Sequence, residues 1–190
     1  MADATWLAQR LYRDEFLTVI EQSGLRSRRR PGSFAPAGVL MHHTGYRSSN
    51  ADPFPGLSTV INGRPDLSGP LCHLLVGYNG KVRVIAAGRA NHANTARASG
   101  PMPAGDGNTM YIGIEVDYAP QLGQAPSSAQ VNAAMQAAAA VVTRLGRGKR
   151  YVRAHAETST TGKWDPGGAF PAPGAFRDKV GWWINNYWRP

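Results

Sequence analysis

The chain has 190 residues and is 42% hydrophobic, which suits one domain with its own core and a short extension. It carries 21 Lys and Arg against 12 Asp and Glu, a formal charge of +9, so a polyanionic partner or surface is expected; nucleic acid, anionic lipid and bacterial wall polymer all qualify. Its one cysteine, Cys72, rules out an intrachain disulfide, and no run approaches the roughly 20 apolar residues of a membrane span.

In chain order, residues 4–22 place Leu7, Leu11, Phe16, Leu17 and Ile20 at near-helical spacing, and an amphipathic helix ending near Gly24 is expected. Asp3, Asp14 and Glu15 interrupt this segment, which lacks the apolar core of a signal peptide, so synthesis in the cytoplasm without Sec export is expected. The basic run "RSRRR" at 26–30 reads as a solvated linker closed by Pro31 and Gly32. "GVLMHHT" predicts a short strand, and residues 45–70, rich in Pro, Gly, Ser and Asn, predict a long functional loop. "LCHLLVGYNGKVRVIAAG" predicts two strands joined at the Asn79-Gly80 turn.

"MYIGIEVDY" alternates as a strand does, with Ile112, Ile114 and Val116 on one face and Gly113, Glu115 and Asp117 on the other. Ser127 and Gln130 form a capping box ahead of the helix "VNAAMQAAAAVVTRL", which stops near Gly146. "KRYVRAH" predicts a strand delivering His155, and "FRDKVGWWINNYW" a closing helix packed through its aromatics. The pattern is α/β: a single domain, with a central mixed sheet flanked by helices. Its parts are expected to be an N-terminal helix and basic linker at 1–34 and the main domain at 35–190.

The five histidines, at 42, 43, 73, 92 and 155, all fall on or beside strand-like segments and the loops after them. His42 and His155 stand at strand ends, and "HAETSTTGKWDPG" brings Asp165 into a segment too rich in Thr, Gly and Pro for a packed helix. Two neutral nitrogen donors and one carboxylate suit a catalytic zinc that keeps its fourth position open to water. The wide separation of the first two ligands matches no short metal motif, so spacing alone does not bring the three together.

"VLMHHTG", "GRANHAN", "YIGIEV" and "HAETSTTGKWDPG" together resemble the zinc-dependent N-acetylmuramoyl-L-alanine amidases of the amidase-2 and peptidoglycan-recognition-protein superfamily, and look closest to amidase domains of endolysins from phages of actinobacteria. The similarity runs from about residue 36 to about residue 170. It implies His42 rather than His43 as the first zinc ligand, with His155 and Asp165 as the others. It further implies Glu115 as a catalytic base, Lys163 as a catalytic lysine and His92 near the substrate groove. His73 is expected beside the substrate or as a hydrogen-bonding support. Many relatives hold a tyrosine where this chain has Cys72, which shifts the burden to Glu115 and Lys163.

The resemblance therefore implies a peptidoglycan hydrolase cleaving the amide between N-acetylmuramic acid and L-alanine. The expected partners are peptidoglycan and anionic wall polymers, with no nucleic acid and no membrane span, and the expected state is a monomer. The alternative is a non-catalytic peptidoglycan-binding module of the same fold. Each residue has a plainer reading as well: Lys163 as an exposed loop cation, Glu115 paired with Arg89 or Arg153, His92 ordering its own loop, His43 in the core, and Cys72 as a buried inert thiol.

Overall fold

The computed structural model describes residues 3–188. Six short strands form the main sheet: β1 (Val19–Glu21), β2 (Gly38–His43), β3 (Leu74–Val76), β4 (Val82–Val84), β5 (Tyr111–Val116) and β6 (Val152–Ala154). Their spatial order is β1-β4-β3-β5-β2-β6. Every neighbouring pair is parallel except β3 with β4, the antiparallel hairpin expected at Asn79-Gly80. Gly80 sits there at φ 77°, a left-handed conformation glycine adopts without a Cβ penalty. The sheet is mixed, as the sequence predicts.

The helices longer than four residues are α1 (Leu7–Leu11), α2 (Leu57–Asn62), α3 (Ser128–Arg144) and α4 (Pro173–Tyr187). Helix α3 starts at the expected capping box: Ser127 Oγ accepts from the Gln130 N–H at 3.0 Å, and Gln130 Oε1 accepts from the Ser127 N–H at 2.9 Å. Its row of small residues, Ala133 to Ala140, lets the helix lie close on the sheet, where Val39, Met41, Ile112, Ile114 and Val116 meet it. Helices α1 and α4 pack on α3, and Leu7, Leu11, Phe176 and Val180 join the same core. The opposite face of the sheet is covered by α2 and loops through two smaller apolar clusters, one around Leu40 and Tyr111, the other around Leu75 and Ile85.

Three expectations change. The helix predicted over 4–22 is only Leu7–Leu11; Asp14 Oδ1 accepts from the Phe16 N–H at 2.9 Å in a local turn, and the β-branched stretch after it becomes β1, parallel to β4. Segment 1–34 thus contributes a strand to the sheet and Ala4, Leu7, Leu11, Leu25 and Phe34 to the main core. The run at 26–30 is largely solvated, with Arg26 and Arg29 exposed, but it is also tied to the rest of the chain. Arg28 donates to the carbonyls of Ile85 and Ser23, and Arg29 pairs with Asp3 at 2.7 Å. The loop predicted over 45–70 contains α2 and a tight ribbon pairing Gly63–Arg64 with Leu67–Ser68.

Candidate active site

Parallel pairing puts the C-terminal ends of β2 and β5 side by side, with His42 in register with Glu115 and Met41 with Ile114. The period-2 pleat sends Met41 and Ile114 into the helix-covered core, and His42 and Glu115 to the other face. At the end of β6 the chain turns into one helical turn, His155–Thr158. Glu157 anchors that turn: its Oε2 accepts from the Ala154 N–H at 2.9 Å and from Arg177 at 2.8 Å, and its Oε1 accepts from Arg153 at 2.5 Å. Arg97 donates to the carbonyls of Ala156 and Glu157 from the other side. His155 is thereby fixed by backbone and ion-pair contacts.

The Asp165 loop is held in the same way. The Asp165 carbonyl accepts from the Ala156 N–H at 2.9 Å, the Gly167 N–H donates to His43 Nδ1 at 3.1 Å, and the Tyr118 hydroxyl donates to the Gly167 carbonyl at 2.6 Å. His42, His155 and Asp165 consequently converge. His42 Nδ1 lies 3.1 Å from His155 Nδ1 and 2.9 Å from Asp165 Oδ2, and His155 Nδ1 lies 3.1 Å from the same oxygen. A tetrahedral site with zinc bonds near 2.0 Å sets its donors about 3.3 Å apart, so the triangle matches such an ion to within a few tenths of an ångström.

Burial fixes the charge state of this cluster. It pushes the His42 imidazole down to about 4, and the nearby Asp165 recovers only part of that, so His42 is neutral at physiological pH. Burial alone would raise Asp165, but its close contacts with the His155 and His42 rings prevail and hold its carboxyl well below the usual carboxylate range. The neutral His42 nitrogen and the ionised Asp165 oxygen are donor forms that a metal takes.

The triangle opens into a cavity of ≈ 300 Å³ walled by Glu115, Lys163, His92, Trp164, Tyr46 and Arg64, among others. Burial, reinforced by Asp165 and Asp117, drives the Glu115 carboxyl well above its ordinary range. Glu115 Oε2 is buried without a hydrogen-bond partner among the described residues. Neither arginine considered for it is its partner: Arg89 pairs with Asp106 and Arg153 with Glu157. Lys163 is exposed at the rim, its backbone N–H donating to Ser159 Oγ.

His92 borders the cavity with both ring nitrogens engaged, Nδ1 3.0 Å from His42 Nε2 and Nε2 3.3 Å from the Tyr111 carbonyl. His73 lies deeper. It is fully buried and stacked on Phe34, and its Nδ1 accepts from the Gly113 N–H at 2.9 Å, so it supports β5 and is walled off from the cavity rather than lying beside a substrate. His43 is not simply core: it reaches the cavity wall, edge-on to Trp164. Cys72 is buried among Val60, Leu75 and Ile85, and burial raises its thiol well above the ordinary value, leaving it inert. Sequence reasoning missed Trp164 and Arg64 as cavity walls; Trp164 lay in the quoted motif itself.

The family model for N-acetylmuramoyl-L-alanine amidases matches residues 32–168. The chain belongs to that family. As an amidase of this kind it acts on the bond between N-acetylmuramic acid and L-alanine in peptidoglycan. No curated protein matches it by sequence. Among solved structures it is similar to an AmpD derivative (19% identity, 95% of this chain and 99% of that one, TM-score 0.62) and to the catalytic domain of XlyA (18%, 87% and 100%, 0.62). It is also similar to AmpDh3 from Pseudomonas aeruginosa in complex with anhydromuramic pentapeptide (20%, 78% and 61%, 0.57). At these identities the likeness establishes the fold, a mixed sheet flanked by helices, as in the amidase described here.

Proposed function

We propose that the amidase is zinc-dependent, that His42, His155 and Asp165 hold the ion, and that Glu115 and Lys163 carry the proton and charge transfers. The observation that supports this most is the donor triangle with sides of 2.9–3.1 Å, opening onto a cavity with an unpartnered carboxyl oxygen of Glu115 in its wall. When bound, zinc supplies a Lewis acid and lowers the pKa of a water from about 16 to about 7.

Glu115 would take a proton from the attacking water and pass it to the departing L-alanine nitrogen, since an amine leaves poorly without one. A carboxyl held above its usual range binds a proton long enough to deliver it. Lys163, on the exposed rim of the cavity, would bring its ammonium to the oxyanion of the tetrahedral intermediate. The biological setting we propose is a phage endolysin, with the charge of +9 holding the enzyme on an anionic wall.

The test is zinc content per chain together with release of L-alanine-bearing peptides from purified peptidoglycan. Chelation should abolish release and zinc should restore it, while Asp165→Ala should neither retain the ion nor release peptide. Wall binding without release would make the chain a binding module instead. Release that persists in chelator would remove the metal from the reaction.

A further inference from the structure

Glycine inside a strand weakens it and calls for a reason, commonly a close approach by another group. In β5 the reason is visible. A Cβ on Gly113 would fall 2.7 Å from His92 Nδ1 and 2.8 Å from its Cγ, closer than real side chains pack. The His92 ring therefore lies directly on the bare Cα of Gly113. It stands perpendicular to the His42 ring, with centroids 5.2 Å apart. Its backbone is fixed too: the N–H groups of His92 and Ala93 both donate to Asn108 Oδ1 at 2.8 Å, and Asn108 is itself buried.

The protons on this chain of rings can be assigned from one end. The Tyr111 carbonyl only accepts, so His92 Nε2, 3.3 Å away, carries a proton. Neutral His92 then has a bare Nδ1, which can only accept, so His42 Nε2 at 3.0 Å is its donor. A neutral His42 protonated on Nε2 has a bare Nδ1. That lone pair points at Asp165 Oδ2, 2.9 Å away, which also only accepts. Two acceptors facing each other at that distance repel, and with His155 Nδ1 3.1 Å from both of them, a cation held among the three atoms relieves that repulsion.

Resting on the zinc reading above, we infer that His92 is a positioning residue of the metal site, holding His42 in the tautomer whose bare Nδ1 faces the ion, and that residue 113 is glycine so that this ring fits. The substrate-side role suggested by the sequence gives way to one exerted through His42. Partners of this kind typically contribute 10- to 100-fold in metal affinity.

The test uses the full chain and zinc alone, with affinity read by competition against a chromophoric chelator. His92→Phe keeps the ring shape without an acceptor and should lose about 10- to 100-fold in affinity. His92→Gln, whose amide can accept from His42 and donate to Tyr111, should recover most of it, and Gly113→Ala should fall with His92→Phe. A ¹⁵N spectrum of the zinc-loaded wild type should show His42 bound through Nδ1 and protonated on Nε2, a readout that needs no variant to fold. Wild-type affinity in His92→Phe, equal loss in His92→Phe and His92→Gln, or His42 bound through Nε2 would each overturn the inference while leaving the zinc reading intact. A wild type that binds no zinc would remove both.

Discussion

His42 and Glu115 stand opposite one another across the parallel pairing of β2 and β5, an imidazole of the His42–His155–Asp165 cluster and a carboxyl whose Oε2 has no hydrogen-bond partner among the described residues, on the same face of the same sheet. Because Glu115 makes no ion pair among the described residues, its replacement by Gln should leave folding and zinc content unchanged and lower peptide release by about 10²- to 10⁴-fold. Release at the wild-type rate with zinc bound would take the base role from Glu115.

Lys163 makes the companion case. Its side chain is exposed, so Lys163→Ala should change stability by less than about 0.5 kcal/mol. If its ammonium meets the developing oxyanion, kcat should fall by about 10²- to 10³-fold with KM little altered. Steady-state kinetics on a soluble muramyl peptide separate the two, and a rise in KM alone would make Lys163 a substrate-binding cation.

How much of this was readable beforehand follows from range. The pleat of "YIGIEV" put Glu115 on the face away from Ile112 and Ile114 through period 2 alone, and the capping box at Ser127 is a contact three residues long. The helix expected over 4–22 failed because apolar residues at helical spacing also serve a turn followed by a strand. The β-branched Thr18, Val19 and Ile20 were the signal for β1, but its pairing with Val82 to Val84 is a tertiary fact. Helix α2 is six residues long, too short to show a period. The meeting of His42 with His155 and Asp165 depends on the order of β5, β2 and β6 in the sheet, which only the family resemblance carried. The depth of His73 was invisible because strand spacing does not say which layers cover a face.

The ion pairs that fix His155 can be broken without touching the His42–His155–Asp165 cluster itself. Glu157 binds Arg153, Arg177 and the Ala154 N–H, and the two arginine side chains are 12% and 19% exposed. Glu157→Ala leaves both cations unpaired at the base of the site, and a destabilisation of about 2–3 kcal/mol is expected, below the 3–5 of a fully buried pair. Urea denaturation should show it as a lower midpoint with an unchanged slope. An unaltered midpoint would mean that water replaces the carboxylate.

Asp117 sets a pH dependence of stability. Its carboxylate is fully buried, accepting from the Thr44 hydroxyl at 2.5 Å and the Gly56 N–H at 2.9 Å, and so ties the loop after β2 to the start of α2. Burial, with a smaller push from Asp52, outweighs those two donors and raises the carboxyl to about 6. A folded value above the unfolded one favours the protonated folded form. Its contribution is complete below about pH 4 and is lost as pH rises through 6, a total of about 2–3 kcal/mol. Wild-type stability measured against Asp117→Asn should therefore decline between pH 4 and pH 7, and a difference constant over that window would refute the assignment.

The charge of +9 should act on the wall and not on the bond cleaved. Arg28 and Arg29 are committed to internal partners, whereas Arg147 and Arg150 are exposed between α3 and β6. Attraction between exposed charges is screened beyond about 8 Å at 0.15 M salt and about 3 Å at 1 M. Binding to intact wall should thus weaken steadily with salt, and Arg147→Glu with Arg150→Glu should weaken it already at low salt. Cleavage of a short soluble substrate should respond to neither change, because the cavity chemistry runs on groups in direct contact. Wall binding that is unaffected by 1 M salt would mean that the anionic polymer is not what the positive surface holds.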